Sequence, residues 1–169
     1  MLMKAANTCP SMYIRFLFND FWSLREALSR SNGTDRKILL SAYHSYMKKE
    51  KFFIGSNAVI QSIPVFPHGM VGVHISEGAR IGSGCTIFPY VAIGSNTIHE
   101  SKGKGSPVIG DNCFIGIGAT IIGGISIGDN CRIGANSTVT ENIPDNCVVV
   151  PQKPRILRKD RLVNIWTPY

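Results

Sequence analysis

The chain has no uninterrupted apolar run near the ~18 residues that a membrane-crossing helix needs. Its opening, MLMKAANTCPSMYIRFLFND, also lacks the apolar core of an export signal. A cytoplasmic location is therefore expected. The five cysteines, Cys9, Cys85, Cys113, Cys131 and Cys147, form no CxxC pair. That argues against a zinc site or a disulfide framework and for free thiols in a reducing compartment. Acidic residues are scarce, 11 against 18 basic ones for a net charge of +7. An anionic partner is expected, and nucleic acid, a membrane surface or a phosphorylated cofactor would each satisfy the charge. Tryptophan occurs twice while glycine occurs 17 times, a balance that favours tight corners and small interior positions over a bulky aromatic core.

What is present divides in three. Over residues 12–30 (MYIRFLFNDFWSLREALSR), Ile14, Leu17, Phe18, Phe21, Leu24 and Leu28 recur at three- and four-residue steps and draw one apolar stripe along a helix. Ser31-Asn32-Gly33 ends it, Thr34 or Asp35 can cap the next, and residues 36–51 (RKILLSAYHSYMKKEK) read as a second helix with a basic end. The stripe predicts that the first helix packs on the end of the repeat region and covers its open edge. Its aromatics also offer a contact with a membrane surface. Residues 1–53 thus comprise a leader and two helices, with Met12 as an alternative start.

From residue 54 to 150 the period changes to six. Ile109, Ile115, Ile121, Ile127, Ile133 and Val139 stand at every sixth position, and glycine follows most of them. Four residues after each aliphatic comes Cys113, Ala119, Ile125, Cys131, Ser137 or Ile143. An earlier block repeats the rule at Ile75, Ile81, Ile87 and Ile93, with Ala79, Cys85, Val91 and Thr97, and Ile54 and Ile60 begin a shorter one. A six-residue repeat fits neither an amphipathic helix nor an alternating strand. It fits short flat strands joined by glycine corners and stacked into a solenoid of about four coils, with the aliphatic and small positions facing inward. On this mainly β reading Cys85, Cys113 and Cys131 are core residues.

The ladder breaks twice, at Pro67–His74 (PHGMVGVH) and at an outer loop, 99–108 (HESKGKGSPV). A solenoid accommodates insertions on its outside, where repeat proteins build sites. A functional site is therefore sought at the breaks.

The His68-Gly69 turn followed by GVHISEGARIGSGCTIF, the segment PVIGDNCFIGIGATIIGGISIGDNCRIGANSTV and the closing IPDNCVVVPQKPRI together resemble the hexapeptide-repeat acyltransferases, nearest their serine acetyltransferase-like branch. The resemblance covers about three-fifths of the chain and implies a left-handed parallel β-helix, a homotrimer and acetyl-CoA as donor, with no metal. Moving an acetyl group from a thioester to a hydroxyl needs a base, and histidine suits it. By the resemblance His68 is that base, and Gly69, His99 and Ser106 belong to the acceptor side. Gly116, Gly118 and Ala119 match the segment that lies along the pantetheine arm, where small side chains permit close approach. Gly134 and Ala135 are the equivalent in the next coil. Lys153 and Arg155, in the basic tail 151–169 with Arg158, Lys159 and Arg161, match a motif suited to CoA phosphates.

The chain departs from serine acetyltransferases where Pro67 replaces an aspartate before the base and Ser106 replaces a second histidine. Glu77 or a backbone carbonyl is left to orient His68. These departures, with the short helical start, resemble acetyltransferases of capsule and exopolysaccharide synthesis. The expected function is therefore acetyl transfer to a sugar hydroxyl in polysaccharide biosynthesis, with serine as the alternative acceptor. A metal site built from His68, His74 and His99, as in γ-class carbonic anhydrases, lacks supporting spacing. A scaffold without acetyl-CoA binding is the non-enzymatic alternative. Trp166 and Tyr169 follow the tail's basic cluster instead of interleaving with it, which argues against nucleic acid.

Overall fold

The computed structural model of the chain describes residue 18 and residues 20–158. The leader, Cys9, the start of the predicted first helix with Ile14 and Leu17, and the tail residues Lys159, Arg161, Trp166 and Tyr169 lie outside the described residues.

Helix α1 spans Phe21–Arg30 and helix α2 spans Gly33–Glu50. Asp20 opens α1 by accepting the Ser23 N–H at 2.8 Å, while its own N–H turns to the Ser23 hydroxyl at 3.4 Å, a reciprocal cap. The second helix starts before the predicted residue 36, with Asn32 at the cap. Asp35 instead lies in the first turn, where its charge complements the helix dipole. Lys51, left-handed at φ 58°, turns the chain out of α2. No helix among the described residues is long and apolar enough to cross a membrane.

The rest is three parallel sheets of two- and three-residue strands. The first joins β1 (Phe53–Ile54), β3 (His74–Ile75), β6 (Ala92–Gly94), β9 (Thr120–Ile122) and β12 (Thr138–Val139). The second joins β2 (Val59–Ile60), β4 (Arg80–Ile81), β7 (Val108–Ile109) and β10 (Ser126–Ile127). The third joins β5 (Thr86–Ile87), β8 (Phe114–Ile115), β11 (Arg132–Ile133) and β13 (Val148–Val149). Single bridges at Val65 and Ile143 complete the first and last turns. The chain therefore makes five coils where the hexad count suggested four, because three strand positions lie outside the counted hexads: Val65 keeps the six-residue step from Val59 but stands beside the first break, while Ile143 and Val148–Val149 leave the step. The architecture is a left-handed parallel β-helix with two helices on its N-terminal end.

Register places one aliphatic above another. Ile54, Ile75, Ile93 and Ile121 lie in one column and are all 0 % exposed. Each such side chain contributes roughly 1.5–3 kcal/mol by leaving water. Cys85, Cys113 and Cys131 are buried as expected. Thr97 is the exception among the predicted inward positions: it is exposed, because the chain leaves its coil at Asn96.

Phe21, Leu24 and Leu28 of α1 and Leu39, Ala42, Tyr43 and Met47 of α2 join the solenoid core through Phe52 and Ile54. Polar contacts lock the junction. Arg25 donates to the Tyr43 hydroxyl at 2.6 Å, to Gly55 O at 2.9 Å and to Ala58 O at 2.5 Å, and Tyr43 donates to Ile54 O at 2.8 Å. Burial raises the Tyr43 phenol above its ordinary value, against the opposing pull of Arg25.

Candidate active site

A triangular coil has three edges, and each stacks equivalent corners. Residues 66–73, 88–91, 116–119 and 134–137, and the chain leaving β13, share the edge between the third and first sheets. Backbone bonds tie these corners together: Tyr90 N–H to Val71 O at 3.0 Å, Gly118 N–H to Pro89 O at 3.1 Å and Asn136 N–H to Ile117 O at 2.9 Å. His68, Gly116, Gly118, Gly134, Ala135 and the approach to Lys153 and Arg155 therefore line one edge.

His68 is exposed on a turn closed by Gly69, whose N–H donates to Phe66 O at 3.1 Å and whose φ of 75° suits glycine. The Phe66 ring stacks on Trp22 of α1 at 6.2 Å, which ties the turn to the helices. The His68 ring meets Phe88 edge to face at 5.6 Å, and Phe88 meets Phe114 one coil further on at 5.0 Å. No hydrogen bond to the His68 ring is made among the described residues. Glu77 does not orient it, because its carboxylate accepts the N–H groups of Ser56 at 3.0 Å and Asn57 at 2.7 Å on another edge. The aromatic neighbours were missed by a sequence reading that followed the inward beats. Phe88 and Phe114 flank those beats, beside Ile87 and Ile115.

The glycines on this edge have a structural role of their own. A Cβ at Gly116 would stand 2.8 Å from Ala135 N, and one at Gly134 would stand 2.9 Å from Val149 O. Gly118 is left-handed at φ 68°. Ala119 is 0 % exposed and points into the core, so it offers a ligand only its backbone. Ala135, Lys153 and Arg155 are exposed.

The outer loop lies on a different edge, between the first and second sheets. It opens at Asn96 and closes at Gly105, which exchange backbone bonds of 2.8 and 2.9 Å, earlier at both ends than the predicted 99–108. Gly124 N–H donates to Gly103 O at 2.9 Å and holds the loop down. His99 is exposed near its tip. Ser106 is half-buried, its hydroxyl 2.7 Å from that of Ser95, which donates to Ser76 at 2.8 Å. Within one chain the two ladder breaks do not meet. His74 stacks on Phe53 at 4.8 Å on the outer face of the first sheet, so His68, His74 and His99 do not converge as metal ligands. A groove of about 760 Å³ between α1 and the first coil, lined by Trp22, Arg25, Ala58 and Ile60 among others, contains none of the predicted site residues.

Residues 106–141 match the family model for the bacterial transferase hexapeptide (six repeats). Among curated relatives, the serine acetyltransferase of Staphylococcus xylosus is 42% identical over 93 residues, 55% of this chain and 42% of the relative. That of Helicobacter pylori is 38% identical over 94 residues, 56% of this chain and 53% of the relative. Among solved structures, serine acetyltransferase isoform 3 from Entamoeba histolytica, in complex with cysteine, superposes with a TM-score of 0.65 at 30% identity, covering 83% of this chain and 50% of that one. The Neisseria gonorrhoeae serine acetyltransferase in complex with serine gives a TM-score of 0.66 at 28% identity over 79% of this chain and 55% of that one. The chain spans about half the length of the curated relatives it matches.

These matches overturn the expected sugar acceptor and the placement in polysaccharide biosynthesis. That expectation gave decisive weight to Pro67, Ser106 and the short helical start, whereas the likeness to serine acetyltransferases is carried by far more of the chain. The chain carries bacterial transferase hexapeptide repeats over residues 106–141, and its β-helix is similar to that of serine acetyltransferases.

Proposed function

We propose that this chain is a serine O-acetyltransferase of cysteine biosynthesis with acetyl-CoA as donor. The observation that carries the reading is the single edge on which His68, the Gly116–Ala119 corner, the Gly134–Ala135 corner and the start of the basic tail lie in series. An extended thioester cofactor laid along that edge has its phosphates near Lys153 and Arg155 and its acetyl end toward His68. The serine hydroxyl attacks the thioester carbonyl carbon while His68 takes the hydroxyl proton. The carbon–sulfur bond then breaks, and the CoA sulfur leaves with a proton returned from His68. The likeness to serine acetyltransferases supports serine as the acceptor.

The reading includes a homotrimer. The loop at 96–105 and His68 occupy different edges of one chain, so a loop that contributes to the acceptor site, with His99 and Ser106, has to come from a neighbouring copy.

The test is CoA release with acetyl-CoA and L-serine. Formation of O-acetylserine at one equivalent per CoA is expected. CoA release that does not rise above the hydrolysis background when L-serine is added would refute the assignment.

A further inference from the structure

The edge that carries His68 is not uniform along its length. Backbone bonds define one column on it: Phe88 N–H donates to Ile115 O at 3.0 Å, Gly116 N–H to Ile133 O at 2.8 Å and Gly134 N–H to Val149 O at 2.8 Å. Each of these residues directly follows the inward aliphatic that ends its strand, Ile87 in β5, Ile115 in β8 and Ile133 in β11. The column is therefore bare of side chains in two coils and carries a phenyl ring in the third. The bridge between Val65 and Thr86 sets the His68 turn one coil before Phe88. Followed from the C-terminal coil, the column runs glycine, glycine, phenylalanine and then reaches the His68 turn.

The Phe88 ring is held in place from two sides. It meets the His68 ring at 5.6 Å and the Phe114 ring at 5.0 Å. Phe114 pairs with Thr86 in register and stands 40% exposed on the outer face of the third sheet, so it backs the Phe88 ring from the following coil. Val71, in the His68 turn, and Ile117 are also exposed on this edge, whereas Ala135 and Asn136 occupy the corner of the next coil. Apolar surface is thus concentrated at the His68 end. That is where the acyl group lies when a thioester arm follows the glycines toward the base.

We propose, on the reading of this edge as the thioester site, that Phe88 is the residue that sets acyl-donor specificity. Its ring closes the glycine column and admits acetyl while excluding longer acyl chains. An acetyl group with its carbonyl at His68 extends only a methyl beyond the reacting carbon. Each further methylene has to displace a ring that Phe114 holds from behind. Replacing Phe88 by the glycine of the two later coils lengthens the open column by one coil, ~4.8 Å, which makes room for the two further methylenes of a butyryl group.

The experiment titrates the full chain with acetyl-CoA and with butyryl-CoA in a calorimeter, without acceptor, and then compares kcat/KM for the two donors with L-serine. Wild type is expected to favour acetyl-CoA by at least ~10-fold, the low end of what one methylene decides in an apolar pocket. In Phe88→Gly most of that preference is lost, in affinity and in kcat/KM alike. The ratio between donors is the readout because a weakening that reaches His68 through the ring contact lowers both donors together. Phe114→Ala withdraws the backing ring from an exposed position and narrows the same preference, so it decides the matter if Phe88→Gly fails to fold. Equal affinity of wild type for the two donors overturns the proposal, as does a folded variant that keeps the wild-type preference. Absence of acetyl-CoA binding to wild type overturns the thioester edge and this proposal with it. Acetyl-CoA binding without turnover of L-serine overturns the acceptor alone, and the affinity ratio still decides the role of Phe88.

Discussion

Replacing His68 by alanine tests the proposed chemistry most directly, and the structure bounds the size of the effect. A positioned general base contributes about 10²–10⁴-fold to rate, which is roughly 3–5 kcal/mol of transition-state stabilisation at about 1.4 kcal/mol per tenfold. The upper end is reached where a third group orients the base. Here the ring contact is the edge of Phe88 at 5.6 Å, and the carboxylate of Glu77 is engaged with Ser56 and Asn57. The expected loss in kcat/KM is therefore near the lower limit, about 10²-fold. Phe88→Ala removes an aromatic contact of about 0.5–1.5 kcal/mol and should lower kcat/KM by about 2- to 10-fold through His68. Because His68 is exposed on a turn outside the core, its replacement should move stability by less than about 0.5 kcal/mol. The assay is initial-rate CoA release at subsaturating L-serine, with thermal unfolding measured on the same samples. Wild-type kcat/KM in a folded His68→Ala protein would remove the base from the mechanism and leave the edge without its chemistry.

Arg25→Ala takes away three hydrogen bonds from one guanidinium and unclamps the helices from the first coil. It is expected to cost about 2–4 kcal/mol, read as a lower urea midpoint, and a midpoint within error of wild type would show that the clamp is incidental. Gly116→Ala puts a methyl group 2.8 Å from Ala135 N, where the obstacle is backbone that cannot rotate away. A loss of about 1–3 kcal/mol in thermal stability is expected. An unchanged melting curve would mean that the coils separate more readily than their register suggests.

The ladder was legible because an inward aliphatic recurs at a fixed step, and the same step sets the strand register, with Ile75 on Ile93 and Ile109 on Ile127. The ends were less legible. Val65 and Ile143 each make a single bridge; Val65 stands beside the first ladder break, and Ile143 and Val149 leave the six-residue step after Val139. Thr97 fits the beat but is exposed, since periodicity marks candidates for burial without recording where the chain departs from its coil. Arg25 was invisible, because its partners are carbonyls and a hydroxyl that no sequence pattern marks. The acceptor was misread for a different reason. Pro67 and Ser106 are local losses, and they were allowed to outweigh a likeness spread over many coils.

The edges also decide which sequence-predicted site residues can act together. In a solenoid, residues that fill equivalent corners share an edge however far apart they lie in the chain, so His68, Gly118 and Asn136 are neighbours by construction. Residues close in sequence separate when a strand intervenes. His99 follows β6, beyond the first sheet from His68, so proximity of both ladder breaks to one acceptor has to be supplied by a second copy. That turns the proposed trimer into part of the chemistry. If the loop contributes across an interface, mixing His68→Ala chains with chains lacking 97–104 should restore activity at those interfaces that pair an intact His68 with an intact loop. A site complete within one chain predicts no restoration, since every chain in the mixture then carries one defect.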